Sequence, residues 1–146
     1  MTVREAVKED LAKLLLLYQH LHNEEMPESA TDLERIWEKI LENPLLVYFV
    51  VEIDGLIVSS CNLAITSNLT RKGRPVGLIE NVVTHADYRN RGLGKNVIQS
   101  AISYARRENC YKVMLLSGSD RKEAHKLYES LGFDSAKKVG FVLKFD

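Results

Sequence analysis

Several features are scarce in this chain, and each scarcity excludes something. No apolar run approaches the roughly 20 residues that a membrane-spanning helix needs, so a membrane partner is not expected. Cysteine occurs only at Cys61 and Cys110. Their settings, SSCNL and ENCYK, hold no metal-ligand spacing, so both read as free thiols in a reducing compartment and no metal is expected. Charge of one sign is not in excess, with 20 Lys and Arg against 20 Asp and Glu. A nucleic-acid binder normally shows a basic surplus, so DNA and RNA are not expected partners. The opening MTVREAVKED is charged too early and too often for a secretory signal, which leaves the cytoplasm as the expected location. Repeats, low-complexity tracts and linkers are also lacking, so one domain spanning residues 1–146 is expected, large enough for a single buried core.

What is present alternates between two periods. Residues 2–7 (TVREAV) read as a short strand. Leu11, Leu14, Leu15, Tyr18 and Leu21 follow at helical spacing, with Glu9 and Asp10 at the positive end of the helix dipole. Thr31-x-x-Glu34 has the form of a capping box, opening a second helix with Leu33, Ile36, Trp37, Ile40 and Leu41 on its apolar stripe. Pro44 closes it. LVYFVVEI and LIVSSCNLAI then read as strands of a hairpin turned at Asp54-Gly55, and VGLIENVVT as the next strand after RKGRP. A helix from Gly92 to about Asn109 carries Leu93, Val97, Ile98, Ala101, Ile102 and Ala105 on its apolar face. YKVMLL is nearly all apolar, as a strand covered on both faces should be. A last helix carries Ala124, Leu127, Tyr128 and Leu131 and stops at Gly132, and FVLKF reads as a final strand. The order β-α-α-β-β-β-α-β-α-β implies an α/β (α+β) protein with a mixed sheet and helices on both faces.

The chemistry concentrates where the third hairpin strand runs into HADYRNRGLG. Two glycines at a helix start suggest that the backbone itself must meet something, and an anion is the usual partner. A P-loop is excluded, because Asn96 follows Gly94-Lys95 and no glycine stands five residues before Gly94. A dinucleotide fingerprint is excluded too, because Val97 takes the third glycine's place and seven residues separate the strand from Gly92. Arg89-x-x-Gly92-x-Gly94 remains. The N–H groups of residues 90–95 can converge on a pyrophosphate, with Arg89, Arg91 and Lys95 supplying charge. The competing reading is a flexible, arginine-rich helix start with no ligand.

Val83-x5-Arg89-x-x-Gly92-x-Gly94 before an amphipathic helix resembles the acetyl-CoA motif of the GNAT superfamily of N-acetyltransferases. A second match follows, since Ala124-His125-Lys126-Leu127-Tyr128-Glu129-Ser130-Leu131-Gly132-Phe133 resembles that family's A-x-x-[FL]-Y-x-x-x-G-F. The element order fits its fold, a mostly antiparallel central sheet flanked by helices. The resemblance implies acetyl transfer from acetyl-CoA to an amine. It places acetyl-CoA against Val82, Val83, Thr84, Arg89, Asn90, Arg91, Gly92, Leu93, Gly94 and Lys95. The strand before the phosphate loop would bulge, freeing the N–H of Val82 or Val83 for the thioester carbonyl, while Thr84 and its neighbours pair with the pantetheine arm. Glu80, two residues before the bulge donor, is the candidate base, acting through water, and Tyr128 is the candidate acid for the departing thiolate. A solvated strand carboxylate and a plain core tyrosine are the competing readings. Many members carry an asparagine seven residues before the tyrosine; here Arg121 stands there and can reach a coenzyme phosphate or carbonyl, or belong with Lys122 and Lys126 to a solvated face.

The acceptor is less legible. Glu24, Glu25 and Glu28 in HNEEMPES would attract a cationic amine, whereas RKGRP would hold a phosphate or phosphonate. GLIENVVTHADYRNRGLGK resembles glucosamine-6-phosphate N-acetyltransferases, and SGSDRKEAHKLY resembles aminoalkylphosphonate and aminoglycoside acetyltransferases. Amino sugar phosphates, aminoalkylphosphonates, aminoglycosides and polyamine-like amines therefore all stand, and a homodimer is among the partners allowed. The rivals are an acetyltransferase acting on a protein amine, a non-catalytic coenzyme A-binding module, and a nucleotide-binding module. His20 and His22 lie two apart on a helix, hence not on one face, and no histidine is assigned a role.

Overall fold

The computed structural model describes residues 2–22 and 30–146. Its close packing divides into two compact units, residues 1–114 and 115–146. A five-stranded sheet runs in the order β1 (Val3–Glu5), β2 (Leu46–Ile53), β3 (Leu56–Thr66), β4 (Val76–Thr84), β5 (Lys112–Leu115). The first four strands pair antiparallel with their neighbours. Asp54 and Gly55 both have positive φ, 50° and 80°, which matches the right-handed twist of the flanking strands and turns the β2–β3 hairpin as the Asp-Gly pair predicts. Helix α3 (Leu93–Arg107) carries the chain from β4 across to β5.

Alternation sorts the sheet's two faces. On one, α1 (Leu11–His22) and α2 (Ala30–Glu42) bring Leu14, Leu17 and Trp37 against Val50, Ile57 and Val83. The Trp37 indole donates to the Lys8 carbonyl at 3.1 Å and meets the Tyr48 ring edge-on. On the other, α3 buries Val97, Ile98, Ala101 and Ala105, and Tyr104 meets Phe49 edge-on at 5.9 Å. Asp10, only 3% exposed, ties β1 to the start of α1. Its carboxylate accepts from both terminal nitrogens of Arg4, at 2.7 and 3.0 Å, and from the Val7 N–H at 2.8 Å. The Arg4 hydrogen bond outweighs burial and holds the Asp10 carboxyl below its usual range. Among the described residues no helix is long and apolar enough to cross a membrane.

The second unit contains α4 (Lys122–Ser130), where the Tyr128 ring meets Phe133 edge-on at 6.2 Å and the His125 ring hydrogen-bonds the Gly118 carbonyl at 2.8 Å. Three expectations from the sequence are corrected by the fold. FVLKF forms no strand: residues 138–146 adopt no regular structure, and Phe141, Val142, Leu143 and Phe145 are 68–92% exposed. Alternation supplies a face but not a ladder, and a strand without a paired neighbour is not stable in water. YKVMLL is likewise not covered on both faces. Its strand is only Lys112–Leu115, Met114 is exposed, and Leu116 beyond it is 61% exposed. It is an edge strand, which explains the mismatch with the pattern of a central one. The first strand is also shorter than its alternation suggested, because the chain turns at Lys8–Asp10 into α1. The Thr31 capping side chain and the acidic loop HNEEMPES lie outside the described residues.

Candidate active site

The site is built where β4 departs from regularity. Ser60 pairs with Val83 and Asn62 with Glu80, so Asn81 and Val82 together stand where β3 has Cys61 alone. Asn81 takes φ 52°, which asparagine tolerates better than most residues. This is a β-bulge, one residue past Glu80, and it leaves a β4 backbone group outside the ladder. The family resemblance implied a bulge in this strand, with a free N–H at Val82 or Val83, and did not point to Asn81 as the residue that bends it. The signal was the asparagine itself, depleted in strands and tolerant of the left-handed region.

Beyond the bulge the chain is held by backbone. The His85 N–H donates to the Val58 carbonyl at 2.8 Å, prolonging the ladder past β4, and the Ser59 and Thr84 hydroxyls meet at 2.9 Å. Arg89 donates from Nε to the Thr84 carbonyl at 3.3 Å, and Arg91 donates to the Asp87 carbonyl while its guanidinium lies 4.9 Å from the Tyr88 ring centre. Arg89, Asn90, Arg91 and Lys95 are exposed, and Asn90 has φ 62°. Gly92 caps α3 with φ 77°, and a Cβ there would meet nothing within 4 Å. The first helical hydrogen bond runs from Asn96 N–H to Gly92 carbonyl, so the N–H groups of Leu93, Gly94 and Lys95 end the helix unbonded within it. Leu93 itself is buried and anchors the turn. An open, positively polarised helix end, with Arg89, Arg91 and Lys95 exposed in the adjoining segment, suits an anion.

Polar groups also line the sheet face in front of the bulge, and sequence reasoning missed them. Tyr48, Asn62 and Glu80 form one cross-strand row, Tyr48 opposite Asn62 and Asn62 opposite Glu80. Burial raises the Tyr48 hydroxyl above its ordinary value, partly offset by a hydrogen bond from Asn62. Burial raises the Tyr18 hydroxyl further, so both phenols stay neutral. Glu80 is exposed at the end of this row. Cys61 lies on the opposite face with its Sγ 3.5 Å from the Val97 carbonyl, and burial pushes its thiol up to about 12, which leaves it inert. His20 and His85, to which the sequence assigned nothing, stack on one another beside the loop.

In the second unit Tyr128 is buried on α4. Arg121 is the exposed N-cap residue of that helix, its backbone N–H bonded to the Gly118 carbonyl. Lys126 pairs with Glu123 at the exposed surface. Among the described residues no group of three or more His, Cys, Asp and Glu side chains is placed to hold a metal.

A bulged strand feeding a glycine-capped helix end across such a sheet defines an acyl-transferase architecture, and comparison with known proteins agrees. The model of the acetyltransferase (GNAT) family matches residues 11–133. The chain is 38% identical over 125 residues to glucosamine 6-phosphate N-acetyltransferase of Trypanosoma brucei brucei, covering 85% of this chain and 82% of that one. A solved structure from Agrobacterium tumefaciens strain C58, assigned as an acetyltransferase, superposes with a TM-score of 0.92 at 40% identity, covering 99% of both chains. Glucosamine-6-phosphate N-acetyltransferase of Arabidopsis thaliana superposes with a TM-score of 0.86 at 27% identity, covering 99% of this chain and 98% of that one. The chain belongs to the GNAT family, and it is an N-acetyltransferase.

Proposed function

We propose that the chain moves an acetyl group from acetyl-CoA to the primary amine of a small molecule, with an amino sugar phosphate as the favoured acceptor. The observation that carries this reading is the continuous path from the Asn81 bulge to the open helix end at Gly92. In it the pyrophosphate meets the N–H groups of residues 90–95 and the charges of Arg89, Arg91 and Lys95, while Thr84 and its neighbours meet the pantetheine arm. The Val82 or Val83 N–H meets the thioester oxygen as negative charge develops there. Glu80 takes the ammonium proton through water, Tyr128 returns one to the departing sulfur, and Arg121 serves a coenzyme phosphate or carbonyl. Family relatives that act on glucosamine 6-phosphate support the acceptor class. Arg71, Lys72 and Arg74, all exposed, supply cations suited to its phosphate.

The protein as isolated should carry coenzyme A detectable by mass spectrometry. A thiol-release assay should then show turnover with glucosamine 6-phosphate well above that with unphosphorylated amines. Bound coenzyme without turnover on any amine would favour the non-catalytic module, and turnover on a peptide amine alone would move the acceptor to protein. The family match spans both compact units, which supports one catalytic domain across residues 1–146. We also read the protein as a cytoplasmic homodimer. The exposed, unpaired apolar segment Val139–Phe145 supports a second copy as its cover, and the two unpaired thiols suit a reducing compartment.

A further inference from the structure

The loop that delivers β4 to Gly92 is fastened at its start by two histidines that acetyl transfer leaves unused. The His20 ring, in the last turn of α1, stacks on His85 with centroids 4.1 Å apart and planes inclined by 37°. Each ring accepts a loop backbone N–H at Nδ1, His85 from Asp87 at 3.1 Å and His20 from Ala86 at 3.4 Å. A ring nitrogen that accepts carries no proton, so this network assigns both imidazoles as neutral with the proton on Nε2. Tyr88 meets His85 edge-on at 5.3 Å, and Arg91 covers Tyr88. Among the described residues the charged or titratable groups acting on His20 are His85, Arg89 and Asp87, and only Asp87 favours the imidazolium. Burial is the largest effect on His20, and it too disfavours the charge.

We propose that His20 and His85 are positioning residues that hold the coenzyme loop in place only while both are neutral, so that mild acid loosens the loop and weakens acetyl-CoA binding. This rests on the reading of Gly92–Lys95 as the coenzyme site. A proton on Nδ1 of either ring turns an acceptor into a donor facing a backbone N–H. The resulting cation also lies against its neighbour ring and near Arg89. Both changes push α1 and residues 85–88 apart, and residues 85–91 set where the amides of 90–95 point. Added positive charge beside an anion site acts in the opposite sense, attracting phosphate, so the direction of the pH effect discriminates shape from charge.

The test is calorimetric titration of coenzyme A into the full chain in steps from about pH 8 down to about pH 5, because burial, His85 and Arg89 hold His20 below the ordinary histidine value. It is run on the wild type and on the double variant His20→Gln/His85→Asn. Both substituents keep a side-chain acceptor, asparagine being a good cap, and neither titrates. The variant therefore reports whatever the coenzyme's own phosphates contribute. Below its transition the wild type should lose about tenfold more affinity than the variant for each further pH unit. Equal pH dependence in the two proteins, or tighter wild-type binding in acid, overturns this inference alone. No wild-type binding at the highest pH overturns the reading of Gly92–Lys95 as the coenzyme site and this inference with it. If the variant does not fold, the wild type decides by NMR. The Ala86 and Asp87 amide resonances should move with the same midpoint as the affinity, and stationary resonances overturn the proposal.

Discussion

Gly92 separates folding from binding cleanly, because its two demands respond differently to substitution. Its φ of 77° costs an L-residue about 1 kcal/mol or slightly more. No atom lies within 4 Å of the added Cβ, so sterics contribute nothing further. Gly92→Ala should therefore lose about 1 kcal/mol, a melting shift of about 2–4 °C for a chain of this size. Gly92→Asp should fold no worse, since aspartate tolerates the left-handed region better and its charge suits a helix N-terminus. The same charge meets the pyrophosphate directly. Two unit charges about 4 Å apart repel by about 1 kcal/mol in water and about 4 kcal/mol at the effective dielectric of a protein surface, which is roughly fivefold to nearly a thousandfold in affinity. Scanning calorimetry and coenzyme A titration on both variants give the answer. An aspartate variant that melts like the alanine variant yet binds coenzyme A with unchanged Kd would refute the anion site.

The sequence was most legible where one local rule decided the outcome. Asp54-Gly55 specified its turn, Gly92 the start of α3, and the apolar positions of α3 their buried face, because each is dictated by backbone sterics or helical period alone. It was least legible where the answer depends on a partner. FVLKF carries a strand's alternation but finds no ladder, and YKVMLL carries a central strand's apolarity but lies at an edge. Of the proposed site, the motif residues of the loop were visible. Asn81 carried a local signal in its residue type that went unread. The Tyr48–Asn62–Glu80 row and the His20–His85 stack had none, because they arise from register between segments up to 65 residues apart, and no local spacing encodes register.

Glu80→Gln should lower kcat on the order of tenfold to a hundredfold with KM for acetyl-CoA little changed; a variant that keeps the wild-type kcat would make Glu80 structural. Asp10→Ala removes the Arg4 ion pair and the acceptor of the Val7 N–H. Because Arg4 is partly solvated and keeps Glu52 at 3.7 Å, the change should cost only about 1–2 kcal/mol in denaturant unfolding. Because Asp10 titrates lower in the fold than in the unfolded chain, its contribution is whole above about pH 4 and disappears as pH falls through that lower value. The alanine variant should lack that acid-sensitive step. Phe141→Asp/Phe145→Asp should convert a dimer to monomer in sedimentation; an unchanged assembly would mean that the exposed segment covers nothing. Tyr128 is the case in which packing and chemistry compete. It is buried on α4 with Phe133 against its ring, and Tyr128→Phe preserves that edge-on contact while removing only the hydroxyl. A structural hydroxyl contributes about 1 kcal/mol, so its loss would lower the melting temperature slightly and leave turnover alone. A hydroxyl that protonates the departing sulfur has the opposite signature, with stability held and kcat reduced on the order of tenfold or more. That kinetic loss should shrink with an acyl donor whose thiol is more acidic, because its anion leaves without help. A phenylalanine variant that melts early, turns over normally and ignores the leaving group would return Tyr128 to the core.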